Sequence, residues 1–113
     1  MTARRRPRPG GPVRGSRQGR PIMALLDLLG RRWALRILWE LREAPLAFNE
    51  LQRRCDGMSP SVLATRLGEL VDARLVERDG DDRYRASALA ESLGELLLPL
   101  DAWARRWARQ LSR

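Results

Sequence analysis

The first two helical turns after Ser59-Pro60 carry the side chains best suited to chemistry: Ser61, Ala64, Thr65 and Arg66. Two hydroxyls, a methyl and a guanidinium at this spacing suit the reading of base edges. A hydroxyl pairs with either kind of base partner, a small methyl meets the thymine methyl, and a guanidinium reaches guanine or phosphate. Catalysis has far less to work with. The chain has no histidine and one cysteine, Cys55, which excludes the common zinc spacings, an intrachain disulfide and serine–histidine or cysteine–histidine catalysis. No catalytic residue, metal site or cofactor is expected.

The elements that must position these residues are written into the flanking sequence. Asn49 is placed to cap a first short helix, with Gln52 reaching back to complete a capping box. That helix runs to about Cys55 and stops at Asp56-Gly57, a pair that accepts a sharp turn. Ser59 and Pro60 open a second helix, the serine oxygen accepting an orphan N–H and the proline having none to lose. Leu63, Leu67, Leu70 and Val71 follow at i, i+4, i+7 and i+8, a single buried stripe, with Ser61, Ala64, Thr65 and Gly68 on other faces. Leu75-Val76-Glu77-Arg78, Asp79-Gly80 and Arg83-Tyr84-Arg85-Ala86 then read as strand, hairpin turn and strand. The order is that of a winged helix-turn-helix: mainly α with a small β-hairpin wing and helical elements at either end. Asp79, Asp81 and Asp82 make the wing tip acidic, so phosphates would repel it and deep insertion into a minor groove is not expected.

Upstream, Ile22 to Leu29 is a helix candidate ended by Gly30, and Arg31 to Arg42 a second, with Trp33, Ile37, Leu38 and Leu41 as its apolar stripe. Trp39 falls outside that stripe. Downstream, Ala88 to Leu111 is helical in pattern but contains Pro99, which costs about 3 kcal/mol inside a helix, so a kink or break is expected near Leu98. Leu100, Trp103, Ala104, Trp107 and Leu111 line one face beyond it. A stripe with two tryptophans exceeds what a lone surface helix needs, and a dimer interface is the preferred reading over folding back on Ile22 to Leu29.

The 113 residues make one small domain plus a tail. The net charge of +8 lies almost wholly in residues 1–20, which hold seven arginines and no acid; residues 21–113 hold fifteen arginines against fourteen acids. Residues 1–20, rich in Arg, Pro and Gly, are expected to form a disordered basic arm, either a solubilising leader or a sequence-blind tracker of phosphates. Bulk charge therefore does not establish a nucleic-acid partner; placement must. No apolar run is long enough to span a bilayer and no signal core begins the chain, so a cytoplasmic, nucleoid-associated protein without a membrane partner is expected.

Taken in order, these residues resemble the HxlR-type transcriptional regulators, a winged-helix branch related in plan to the MarR type. The resemblance covers residues 20 to about 109. It is carried by Pro21-Ile22, Asp27-Leu28-Leu29-Gly30-Arg31-Arg32-Trp33, Ile37-Leu38, Leu41, Phe48-Asn49-Glu50-Leu51, Gly57-Met58-Ser59, Val62-Leu63, Arg66-Leu67, Glu69-Leu70 and Leu75-Val76-Glu77-Arg78. It implies a homodimer joined through the first and last helices, with Leu25, Leu28, Leu100, Trp103, Trp107 and Leu111 at the interface. It also implies promoter DNA as partner and a recognition helix from Ser59 to Ala73; a repressor is the preferred reading, the sign of regulation staying open, and a small-molecule effector would bind an apolar crevice. Base contacts are assigned to Ser61, Ala64, Thr65 and Arg66 with Ser59 beside them, Arg66 being also able to pair with Glu69 or Asp72 in its own helix. Phosphate anchors are assigned to Asn49, Arg53 and Arg54, to Arg83 on the wing and to Arg32 at the start of the Trp33 helix. Many members carry a sensing thiol just before the Pro-Ile step; Arg20 stands there, and Cys55 reads as a small core side chain. Two rival readings remain: a degenerate winged helix that binds another protein through its Trp-rich face, and a sequence-blind nucleic-acid binder acting through the arm alone.

Overall fold

The computed structural model describes residues 6–80 and 82–112. Asp81, one of the three acids assigned to the wing tip, and Arg4 and Arg5 of the arm lie outside the described residues. The elements run α1 (Pro21–Leu29), α2 (Ala34–Leu41), β1 (Leu46–Ala47), α3 (Phe48–Arg54), α4 (Pro60–Asp72), β2 (Val76–Asp79), β3 (Arg83–Ala86) and α5 (Ala88–Leu111). The strands form one antiparallel sheet in the order β1-β3-β2. This is a mainly helical winged helix with a small three-stranded wing, as the sequence order indicates.

The core is assembled from one stripe of each element. Leu63, Leu67 and Leu70 of α4 are buried, as are Ile37, Leu38 and Leu41 of α2 and Leu51 of α3, and they meet Leu75, Val76 and Tyr84 of the wing base. Burying aliphatic side chains of this size is worth about 1.5–3 kcal/mol each, which fixes α4 against the body by one face and leaves its opposite face free. Cys55 is fully buried in the same cluster. Burial pushes its thiol above the ordinary value; Glu40 and Asp56 push the same way and Arg36 opposes them. The thiolate is thus disfavoured at neutral pH, and Cys55 packs as a small apolar side chain.

Four local expectations need correction. Asn49 does not cap α3: the helix begins at Phe48 with Ala47 as its extended cap residue, and no side chain bonds to its open end. The cause is β1, which the sequence pattern did not disclose. Leu46 and Ala47 pair with Tyr84 and Arg83, so the sheet holds Ala47 extended and the helix starts directly after it. Gln52 instead donates to the Met58 carbonyl at 3.4 Å. Second, α2 starts at Ala34 and not at Arg31, because Trp33 takes a left-handed backbone (φ 80°) that no helix accommodates. Third, of the kink or break expected near Leu98 the break does not occur: α5 runs from Ala88 to Leu111 with Pro99 inside it. Fourth, the apolar face assigned to an interface is not uniform: Leu28 is buried in the core cluster and is spent within the monomer.

Candidate nucleic-acid interface

The turn between α3 and α4 follows from its residues. Gly57 sits at φ 78°, a conformation that glycine adopts without strain. Ser59 is extended and its Oγ accepts from the Val62 N–H at 3.2 Å, with Pro60 at the first helical position. This cap sets the start of α4 and, through the 3.6-residue repeat, which side chains point away from the core.

On that outer face Ser61, Ala64 and Thr65 are exposed, and Gly68 and Asp72 continue the same line at i+7 and i+11 from Ser61. Thr65 Oγ1 donates to the Ser61 carbonyl at 2.9 Å, and the Ser61 and Ser59 hydroxyls lie 3.2 Å apart. Both bonds can be re-made, since a hydroxyl offers one donor and two lone pairs. The surface is smooth, short and polar. It admits close approach to a groove floor while keeping hydrogen-bonding capacity at two points one turn apart.

Arg66 lies beside this face and, of the two roles open to it, takes the pairing with Glu69 and not a free position toward a base. Its Nε donates to the Arg32 carbonyl at 2.9 Å and its Nη1 to Glu69 Oε1 at 2.6 Å. Glu69 is buried and also accepts from Arg31 Nη1 at 2.6 Å. Two arginines therefore share one buried carboxylate, which ties α4 to the turn between α1 and α2. A guanidinium held in this way is directed at the protein, because moving it to a base would break a charge-assisted bond to a buried carboxylate and its bond to the Arg32 carbonyl. The sequence spacing of Arg66 and Glu69 signals an i,i+3 pair; the contribution of Arg31, distant in sequence, is visible only in the fold.

The other assigned residues surround α4 at different depths. Asn49, Arg53 and Arg54 are exposed on α3, Arg54 with a long 3.8 Å approach to Glu40. Arg32 is exposed with its guanidinium 5.2 Å from the Trp33 ring centre, while its carbonyl serves Arg66. On the wing the positive charges divide. Arg78 bonds the Tyr84 hydroxyl and Arg85 pairs with Glu77, whereas Arg83 is exposed and makes no ion pair among the described residues. Asp79 and Asp82 are exposed beside it, so among the described residues the wing presents Arg83 next to an acidic tip.

A second surface lies at the ends of the chain. Trp103 and Trp107 are each about half exposed (52%) and stack with ring centres 6.3 Å apart and planes 12° from parallel. Leu96, Leu98, Leu100 and Leu111 of α5 and Ile22 and Leu26 of α1 are likewise exposed, while Leu25 is half-buried. Between α1, the end of α4 and the start of α5 runs a groove of about 480 Å³ lined by Pro7, Ala24, Leu25, Leu89, Leu93 and Leu96 among others. No helix among the described residues is long and apolar enough to cross a membrane.

Comparison with known proteins agrees with this geometry. A family model described as HxlR-like helix-turn-helix matches residues 28–112. An uncharacterised HTH-type transcriptional regulator of Methanocaldococcus jannaschii is 29% identical over 89 residues, 75% of this chain and 83% of that protein. Among solved structures, quinone-bound YodB of Bacillus subtilis superposes with a TM-score of 0.72 at 29% identity, covering 76% of this chain and 96% of that one. A candidate HxlR family transcriptional factor from Thermoplasma volcanium superposes with a TM-score of 0.67 at 27% identity, covering 79% and 85%.

Proposed function

The chain belongs to the HxlR-like helix-turn-helix family of transcriptional regulators, and from that premise we propose that it binds promoter DNA as a homodimer and represses by occlusion. The observation that carries the reading is the outer face of α4, where Ser61, Ala64 and Thr65 stand exposed on a helix whose opposite face is anchored in the core. Base reading falls to Ser61 and Thr65, with Ala64 toward a thymine methyl. Phosphate anchoring falls to Asn49, Arg53, Arg54, Arg32 and Arg83. Arg66 acts on the DNA only through the position of α4. Residues 21–113 form the DNA-binding domain and residues 1–20 a basic arm ahead of it. The protein acts in the cytoplasm, on the nucleoid, and catalyses no reaction.

The homodimer forms through α1 and α5, with Trp103, Trp107, Leu100 and Leu111 as its apolar centre and Leu25 at its edge. A twofold pair of α4 helices then meets a symmetric operator on one face of the duplex. A small-molecule effector would occupy the apolar groove between α1 and α5, where a ligand would bias the spacing of the two recognition helices. YodB is known in a quinone-bound form; here the buried Cys55 offers an electrophile no accessible thiolate, so the effector binds without covalent attachment.

The test is a fluorescence anisotropy titration of the full chain on DNA from upstream of its own gene and on shuffled DNA of equal length. Thr65→Ala is expected to weaken the upstream complex about five- to a hundredfold, the worth of roughly 1–3 kcal/mol per base contact, while the shuffled complex changes little. Equal loss on both DNAs would remove the base-reading role from α4.

A further inference from the structure

Among the described residues the arm meets α4 through Arg6. Arg6 Nη1 donates to the Gly68 carbonyl at 3.2 Å and pairs with the Asp72 carboxylate. Gly68 and Asp72 lie on the same line as Ser61 and Thr65, so the guanidinium rests on the continuation of the DNA-facing stripe. Glycine inside a helix costs roughly 1 kcal/mol relative to alanine, and here its missing Cβ leaves room for the Arg6 guanidinium, whose flexible end would have to shift to make way for a side chain. A Cβ at Gly68 would stand 2.9 Å from Arg6 Nη2. Behind Arg6 the chain is held by further contacts: Pro7 is buried, Gly10 N–H bonds the Gly19 carbonyl at 3.0 Å, and Arg14 N–H bonds Asp27 at 3.1 Å.

The charge balance gives this contact a consequence. The domain without its arm carries almost no net charge, its wing tip is acidic, and Asp72 would present a negative charge at the end of the reading face. Arg6 neutralises Asp72 and brings the described start of the arm, with Arg8 two residues on, to the face proposed to meet DNA. We propose that Gly68 and Asp72 form a seat for Arg6 that holds the basic arm alongside the recognition helix, so that the arm's arginines bind DNA phosphates next to the major groove contacts. The partner is the phosphodiester backbone, and the contribution is to affinity and not to sequence choice. This rests on the reading of α4 as the DNA-facing helix.

The two side chains of the pair are each nearly half exposed, so the pair adds little to stability, and its loss should be read in binding. The experiment measures the affinity of the full chain for upstream and shuffled DNA at two salt concentrations, for the wild type and for Arg6→Ala, Gly68→Ala, Asp72→Ala and the Arg6→Ala/Gly68→Ala double variant. Simple charge counting predicts that Asp72→Ala, which removes a negative charge, tightens binding. The seat predicts the opposite. Each single variant should weaken both complexes by the same factor, about three- to tenfold, with a shallower salt dependence. The double variant should bind no more weakly than Arg6→Ala alone. Gly68→Ala should melt no lower than the wild type, because alanine favours the helix; a normal melt with weakened binding then excludes misfolding. Tighter or unchanged binding by Asp72→Ala or Gly68→Ala overturns the proposal, the former outcome marking the contact as autoinhibitory. A loss confined to upstream DNA, or additive losses in the double variant, also overturns it. Wild-type protein that binds upstream and shuffled DNA alike contradicts the proposed function instead, while the variants on shuffled DNA still report on the seat.

Discussion

Glu69→Ala is expected to destabilise the fold by about 3–5 kcal/mol, the cost of removing one partner from a buried ion pair. Glu69 is buried and bonds two guanidiniums at 2.6 Å; the Arg31 side chain is only 8% exposed and the Arg66 side chain 22%. Alanine leaves Arg31 charged in a place from which water is largely excluded. For a domain of this size each kcal/mol moves the melting temperature by about 4–8 °C, so calorimetry should show a large downward shift. Glu69→Gln keeps an acceptor for one arginine and should lie between alanine and the wild type. Joining Glu69→Ala to Arg31→Met removes the poorly solvated guanidinium as well as the carboxylate, and should recover part of the loss. A double variant less stable than Glu69→Ala alone would show that Arg31 is held by groups other than this carboxylate.

The second large effect concerns α5. Replacing both Trp103 and Trp107 by alanine is expected to weaken self-association by 2 kcal/mol or more, about thirtyfold, as truncation of buried aromatic anchors typically does. Both rings are half exposed in the isolated chain and stack on one another, so their removal should leave the melting of the monomer fold almost unchanged. Sedimentation across a range of concentrations reads the shift directly. A wild-type chain that is monomeric at tens of micromolar, or a variant that associates as the wild type does, contradicts the α1 and α5 interface.

What the sequence discloses and what it conceals divide along a physical line. Ser59-Pro60, Asp56-Gly57 and the Leu63, Leu67, Leu70 repeat are local signals whose meaning depends on neighbours within a turn or two, and the structure places each where the local rule puts it. The misplaced features depend on partners far along the chain. Ala47 in place of Asn49 begins α3 because β3, more than thirty-five residues later, pairs with Leu46 and Ala47. Arg66 has the spacing to reach DNA, yet the α1–α2 turn supplies a carbonyl that, with Glu69, draws it inward. Leu28 has the pattern of an interface residue but meets the core because α1 crosses α2. The seat for Arg6 is concealed for the same reason: composition shows that residues 1–20 bury little apolar area, and says nothing of which carboxylate one arginine finds sixty-six residues away.

These corrections narrow the candidate site. With Arg66 turned inward and the wing offering Arg83 beside an acidic tip, the base recognition we propose would rest on the short hydroxyl side chains of α4. Such a face gains its specificity from close fit, and so from the exact seating of the helix by Glu69 and by the leucines beneath it.

Footprinting of the full chain on the upstream fragment, with a reagent that reports the major groove, tests this account most directly. The account predicts two protected major groove segments about one helical turn apart on the same face of the duplex, both lost in Thr65→Ala while overall retention of DNA at low salt persists through the arm. Protection spread evenly along the fragment, unchanged by Thr65→Ala, would contradict the assignment of α4 as the helix that reads DNA.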